Sequence, residues 1–178
     1  MTFANAGTYE VSLKVILQND DELTFGPRTF EIKASEWIEV TEYKDLGETG
    51  EYLIMNVASG SYVYGDGEYS YTKAVFDEKC YFQFISKGNS YWIKSVYNGQ
   101  YAKTKSTYLL SITATNTSGN TPVGFTIVKD GEYFKISYKP KASTYYWQQT
   151  PGSAQVTLSS SSQAVFPEYM LWKIYKKP

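Results

Sequence analysis

The chain has 178 residues, 17 basic against 18 acidic, with no histidine, a single cysteine and 17% aromatic content. The missing histidine excludes a Ser-His-Asp triad, a Cys-His dyad and any His-ligated zinc site. The near-balanced charge, with only Lys173, Lys176 and Lys177 grouped at the C-terminus, makes no basic stripe of the kind that tracks phosphates, so no nucleic-acid partner is expected.

Aromatic and β-branched richness among many Gly, Ser, Thr and Asn predicts an all-β chain. No apolar run approaches the ~18 residues of a membrane span. No signal peptide is legible, so an exported parent is expected to carry its targeting segment outside this chain.

Residues 1–34 read as a β segment of their own. Tyr9, Val11, Leu13 and Val15 alternate with Glu10, Ser12 and Lys14, the pattern of a half-buried strand. Asn19-Asp20-Asp21 supplies a turn, and a return strand runs through Leu23-Thr24-Phe25 and Thr29-Phe30-Glu31-Ile32, interrupted at Gly26-Pro27. The run Phe3-Ala4-Asn5-Ala6-Gly7-Thr8-Tyr9-Glu10-Val11-Ser12-Leu13-Lys14-Val15 resembles the late strand of a PKD-type immunoglobulin-like domain. Two or three strands are marginal alone, so the segment is expected to be the remnant of a truncated sandwich.

Residues 35–178 form the second expected domain. Trp37 and Ile38 either begin it or seal its base. From about Gly50 a degenerate threefold repeat takes over, with units near 50–87, 88–130 and 131–178. Tyr52-Leu53-Ile54, Tyr91-Trp92-Ile93 and Tyr133-Phe134-Lys135-Ile136 open the units, each just after a glycine (Gly50, Gly88, Gly131). Phe82-Gln83-Phe84, Phe125-Thr126-Ile127 and Trp172-Lys173-Ile174 close them.

The openers stand 39 and 42 residues apart and the closers 43 and 47. A repeat of about 40 residues marks one supersecondary unit too small to bury its own apolar face. Each copy reads as four short strands: the opener, a Tyr-bearing strand, a third alternating strand and the closer. Asn98-Gly99 in the second copy is a two-residue hairpin signal. Three such units predict a β-trefoil, a six-stranded barrel capped by three hairpins, rather than a propeller of three blades. Leu53/Trp92/Phe134, Phe82/Phe125/Trp172 and Phe84/Ile127/Ile174 are the expected threefold core layers.

Tyr91 to Tyr101, with Asn98-Gly99-Gln100, resembles the start of a repeat in ricin-type and fascin-like trefoils, and Tyr52 to Tyr62 is similar. That resemblance implies carbohydrate binding. A PKD-like segment before a trefoil also resembles the modular surface and secreted proteins of Bacteroidetes, implying an extracellular or bacterial cell-surface setting. The chain departs from ricin-type lectins in lacking their Gln-x-Trp closer. Near the Tyr-bearing strand only the first unit has an Asp, Asp66; the others offer Lys103 and Gln148-Gln149. One site, or none, is expected rather than three.

Sugar recognition needs a flat aromatic face and planar amides or carboxylates. Unit one offers Tyr62, Tyr64, Asp66 and Tyr69; unit two Asn98, Gln100 and Tyr101; unit three Tyr145, Tyr146, Trp147, Gln148 and Gln149. Three consecutive aromatics in a strand place at least one away from the core, which makes unit three the preferred site.

Asp66, Glu68, Asp77 and Glu78 could be recruited as a hydrolytic carboxylate pair, but Asp77-Glu78 reads as turn decoration. Cys80 reads as a buried thiol rather than a nucleophile. Neither Asp20-Asp21 nor Gly65-Asp66-Gly67 has the ligand density of a calcium loop. The expected molecule is a monomeric, non-catalytic module with a glycan or polysaccharide ligand and no cofactor. The alternative is a structural or protein-interaction module.

Overall fold

The computed structural model describes residues 7–17, 22–32, 37–65, 67–106, 109–160 and 166–178. By its internal contacts the chain divides into two compact units, Met1–Glu36 and Trp37–Lys177.

In the first unit, β1 (Gly7–Ile16) pairs antiparallel with β2 (Glu22–Ile32). Alternation places Val11, Leu13 and Val15 on one side, with Phe25 opposite Leu13 and Leu23 opposite Val15. The return strand is not broken at Gly26-Pro27 as expected. It continues through a bulge: Val11 faces Arg28 and Leu13 faces Phe25, so Ser12 alone opposes Gly26 and Pro27. The bulge suits a proline, which has no N–H to give the ladder. It also requires the glycine, whose φ is 110° and whose added Cβ would lie 2.8 Å from the Val11 carbonyl oxygen.

The second unit begins with β3 (Ile38–Glu39) and continues through four strands per repeat. Unit one holds β4 (Tyr52–Asn56), β5 (Tyr62–Gly65), β6 (Ser70–Lys73) and β7 (Phe82–Lys87). Unit two holds β8 (Ser90–Ser95), β9 (Tyr101–Ser106), β10 (Leu109–Ala114) and β11 (Thr126–Asp130). Unit three holds β12 (Tyr133–Tyr138), β13 (Tyr145–Gln149), β14 (Gln155–Ser160) and β15 (Trp172–Lys176).

First and fourth strands close a six-stranded barrel. Within it, β7–β8, β11–β12 and β15–β4 are long ladders. Between them lie three single-pair contacts, Tyr52 with Phe82, Tyr91 with Phe125 and Phe134 with Trp172. The hairpins β5–β6, β9–β10 and β13–β14 meet at one end, where Val156 pairs with Ser70 and Leu109 with Thr157. This is a β-trefoil.

The expected layers Phe82/Phe125/Trp172 and Phe84/Ile127/Ile174 are all buried. The first expected layer is out of register. Tyr52, Tyr91 and Phe134 occupy equivalent places, followed two residues later by Ile54, Ile93 and Ile136. Trp92 therefore faces outwards, half-buried, its ring 4.3 Å from Lys87 Nζ and edge-on to Tyr101. Leu53 is buried but outside the central cluster. The third opener carries one more residue before its isoleucine, and a one-residue slip moves every side chain to the other face.

Residues 37–50 seal the barrel end opposite the hairpins. Ile38 and Glu39 pair with Lys176 and Tyr175, Val40 N–H donates to the Ile174 carbonyl at 2.8 Å, and Gly47 O accepts from Phe84 N–H at 3.3 Å. The Val40 and Leu46 side chains join the core, and the Tyr52 hydroxyl donates to Asp45 O at 3.0 Å. The segment is part of the trefoil core rather than a linker.

Candidate functional site

The second strands are aligned by their pairing. Met55, Lys94 and Ser137 oppose Tyr62, Tyr101 and Tyr146. One residue on, Val63, Ala102 and Trp147 are equivalent and point inwards. Trp147 is thus a core residue. It is 0% exposed, with Phe125 and Trp172 edge-on at ring separations of 5.2 and 6.3 Å. It cannot offer a stacking face, which corrects the leading sequence expectation.

Gln148 and Gln149 are also buried. Gln149 is occupied structurally: its Oε1 accepts from the Ser59 hydroxyl at 2.5 Å and its Nε2 donates to Ser153 O at 3.1 Å. Of the five residues expected in unit three, Tyr145 and Tyr146 are half-buried, and Tyr145 packs against the core.

In unit two the Asn98-Gly99 turn is not a two-residue hairpin. Ser95 N–H reaches Gln100 O at 2.8 Å across a four-residue loop, and of the two turn residues only Gly99 has positive φ, at 70°. Asn98 Oδ1 accepts from Gln100 N–H at 2.9 Å, and its Nδ2 donates to Gln100 Oε1 at 3.3 Å, so the two amides stitch the turn. Lys103 Nζ is held by Asn120 Oδ1 at 2.6 Å.

Unit one presents rings. Tyr64 sits directly across the β5–β6 hairpin from Tyr71, both half-buried, their rings 6.0 Å apart and 30° from parallel. Tyr69 meets Tyr71 edge-on at 6.4 Å. Lys73 Nζ stands 4.9 Å from the Tyr64 ring and pairs with Asp77 at 2.5 Å. Lys105, from β9, lies 4.6 Å from the Tyr69 ring and pairs with Glu68 at 2.7 Å.

Hydrogen bonding from Lys73 holds the Asp77 carboxyl below the usual range, and Glu68 raises the Lys105 ammonium. Each lysine is matched by one carboxylate, so the charges of the face offset in pairs. Asp66, next to Gly65 in the sequence, lies outside the described residues.

Tyr71 and Lys73 were missed, although the alternation Tyr69-Ser70-Tyr71-Thr72-Lys73 puts the odd residues on one face and could have found them. Lys105 comes from another repeat and left no local signal.

Two of the carboxylates considered for hydrolysis, Asp77 and Glu68, are held in local contacts. Asp77 caps the 3-10 turn Glu78–Cys80 by accepting from Lys79 N–H at 3.0 Å, and Glu68 pairs with Lys105. Cys80 is fully buried, and burial pushes its thiol up. Among the described residues no group of three His, Cys, Asp or Glu could hold a metal, and no helix is long and apolar enough to cross a membrane.

A second feature was not foreseen. A cleft of about 390 Å3 opens between the Gly88-Asn89 turn and β11, bounded by Tyr43, Asn89, Tyr91, Ile127, Val128 and Lys129. Its walls come from three separate segments, which no spacing argument joins.

No protein-family model and no curated protein matches the sequence. Solved structures do match the fold. A ricin B-like lectin from Macrolepiota procera, in complex with lactose, aligns over 74% of this chain and 97% of its own, at TM-score 0.59 and 17% identity. The designed threefold-symmetric protein ThreeFoil aligns over 70% of this chain and 97% of its own, at 0.58 and 14%. A GlcNAcα1-4Gal-releasing endo-β-galactosidase from Clostridium perfringens gives 0.61 and 11% over 73% of this chain, which spans only 33% of that enzyme. Identities this low establish a shared trefoil fold.

Proposed function

We propose that the chain is a non-catalytic carbohydrate-binding module with one site, the tyrosine face of the β5–β6 hairpin. The observation that carries this reading is the near-parallel, half-exposed Tyr64–Tyr71 pair. Such rings can cover the apolar face of a sugar, while hydroxyls of the sugar meet the flanking Glu68, Asp77, Lys73 and Lys105. Because the charges cancel in pairs, the face favours neutral saccharides over strongly anionic ones.

The lectin bound to lactose among the structural neighbours supports the class, and Asp66, which follows Gly65 in the sequence, is proposed as a further member of the site. The setting assigned is extracellular or at a bacterial cell surface, with the β1–β2 ribbon as the end of a PKD-like sandwich.

A glycan array probed with the wild-type chain and with Tyr64→Ala and Tyr71→Ala tests the site. Loss of a ring contact should weaken binding about tenfold, with an unchanged unfolding midpoint. Undiminished binding by both folded variants would move the site elsewhere. No binding by the wild-type chain to any glycan on the array would sink the carbohydrate reading.

A further inference from the structure

The open cleft beside β11 has two filled counterparts in the same molecule. Phe84, Ile127 and Ile174 are threefold equivalents. At Ile174 the main-chain oxygen takes Val40 N–H, and at Phe84 the main-chain N–H takes Gly47 O. In both places an extended stretch of residues 37–50 lies against the barrel strand and sends an apolar side chain, Val40 or Leu46, into the core.

Between those contacts the segment turns away through the 3-10 turn Tyr43–Asp45. It touches the third position only from the side, where Tyr91 Oη donates to Tyr43 O at 3.2 Å and Lys129 pairs with Glu42 at 2.9 Å. Among the described residues it makes no main-chain bond to Ile127.

The edge at Ile127 is aimed at the cleft. Phe125 exchanges both main-chain hydrogen bonds with Tyr91, at 2.8 Å each. Ile127 lies two residues further along the strand, so its N–H and C=O point to that same side, where the Gly88-Asn89 turn has already diverged. A donor and an acceptor at strand spacing thus stand over an apolar floor of Ile127 and Tyr91, walled by the exposed Tyr43 and Val128.

We propose that this cleft binds an extended peptide segment of a partner protein. Its main chain pairs with Ile127 as Val40 and Gly47 pair with the equivalent residues, and a small apolar side chain rests on the floor. The molecule itself is the precedent for this occupant: at both equivalent positions what covers the edge is polypeptide. Strand addition of this kind takes affinity from main-chain bonds and selectivity from the side-chain pocket. The proposal is independent of the tyrosine face on β5–β6.

Panning the whole chain against a display library of random short peptides tests it. Enriched peptides should slow hydrogen exchange at the Ile127 amide. N-methylation of the peptide residue facing Ile127 should abolish binding, and N-methylation of its neighbour should be tolerated, because successive residues alternate in direction. Asn89→Trp and Val128→Arg, both at exposed positions, should each weaken binding at least about tenfold while leaving unfolding and glycan binding as in wild type. Failure to enrich any peptide would overturn the proposal. So would peptides that leave Ile127 exchange unchanged, or that bind both folded variants as tightly as the wild-type chain.

Discussion

Trp172 donates its indole N–H to the main-chain oxygen of Trp147 at 3.1 Å, and the two ring planes stand 89° apart. Both residues belong to unit three. Where units one and two place Val63 and Ala102, unit three places the largest side chain there is, so the pseudo-threefold core is filled from one side. Trp147→Ala should cost about 3–5 kcal/mol, read as a lower urea midpoint. Trp147→Phe should cost much less, since it keeps the edge contacts and removes an indole N–H that has no partner among the described residues. Loss of ligand binding in Trp147→Ala would therefore report unfolding rather than a lost contact.

Gly65 makes room for a neighbour from another repeat. A Cβ at Gly65 would lie 2.1 Å from Ile112 Cγ1. Gly65→Ala should destabilise by about 1–3 kcal/mol through overpacking, and Ile112→Ala alone by about 2–5 kcal/mol through the cavity it leaves. The double variant should cost less than the sum by more than about 0.5 kcal/mol. Additive losses in a denaturation cycle would show that the two sites do not touch.

Acid should release one surface device at a defined point. Asp77 accepts from Lys79 N–H and pairs with Lys73, and its carboxyl lies below its ordinary value of 3.8. A depressed acid contributes stability that is fully present above its unfolded value and lost as pH falls through the folded one. The stability difference between wild type and Asp77→Asn should thus hold level from neutral pH to about 4 and shrink below it. With the carboxylate half exposed, that difference should stay under about 1 kcal/mol. Urea midpoints across a pH series measure it, and a difference that grows on acidification would contradict the pairing.

The single thiol should report global opening. Cys80 is fully buried and its thiol is raised by desolvation. A soluble disulfide reagent should react with native protein only as fast as the trefoil opens, and rapidly in denaturant. Fast labelling under native conditions would mean that the turn Glu78–Cys80 opens locally.

The repeat was readable because its period survives in the closers: Phe82, Phe125 and Trp172 all land in one buried layer. What sequence spacing lost was phase. Aligning the openers on their first tyrosines put Leu53 and Trp92 inside, and counting three aromatics in β13 put Trp147 outside. Both errors are single steps on a strand, where one step exchanges the two faces.

The tyrosine face of β5–β6 was half legible, since Tyr64 and Tyr69 could be named while their lysine neighbour from β9 could not. The cleft at Ile127 was invisible for a stronger reason. It exists because residues 37–50 follow two of three equivalent edges and leave the third, and no local pattern records where a chain declines to go.

β3 runs antiparallel to β15, with Ile38 beside Lys176 and Glu39 beside Tyr175, so the two chain ends of the trefoil leave its base side by side. Traction between Trp37 and Lys177 would load that two-residue seam at one end, unzipping its pairs in succession instead of shearing them together. Val40 and then Leu46 would be drawn out of the barrel next, while the long ladders β7–β8 and β11–β12 were still intact. Under tension the base would yield before the hairpin cap, which leaves the tyrosine face the last part of the trefoil to feel a pull on the chain.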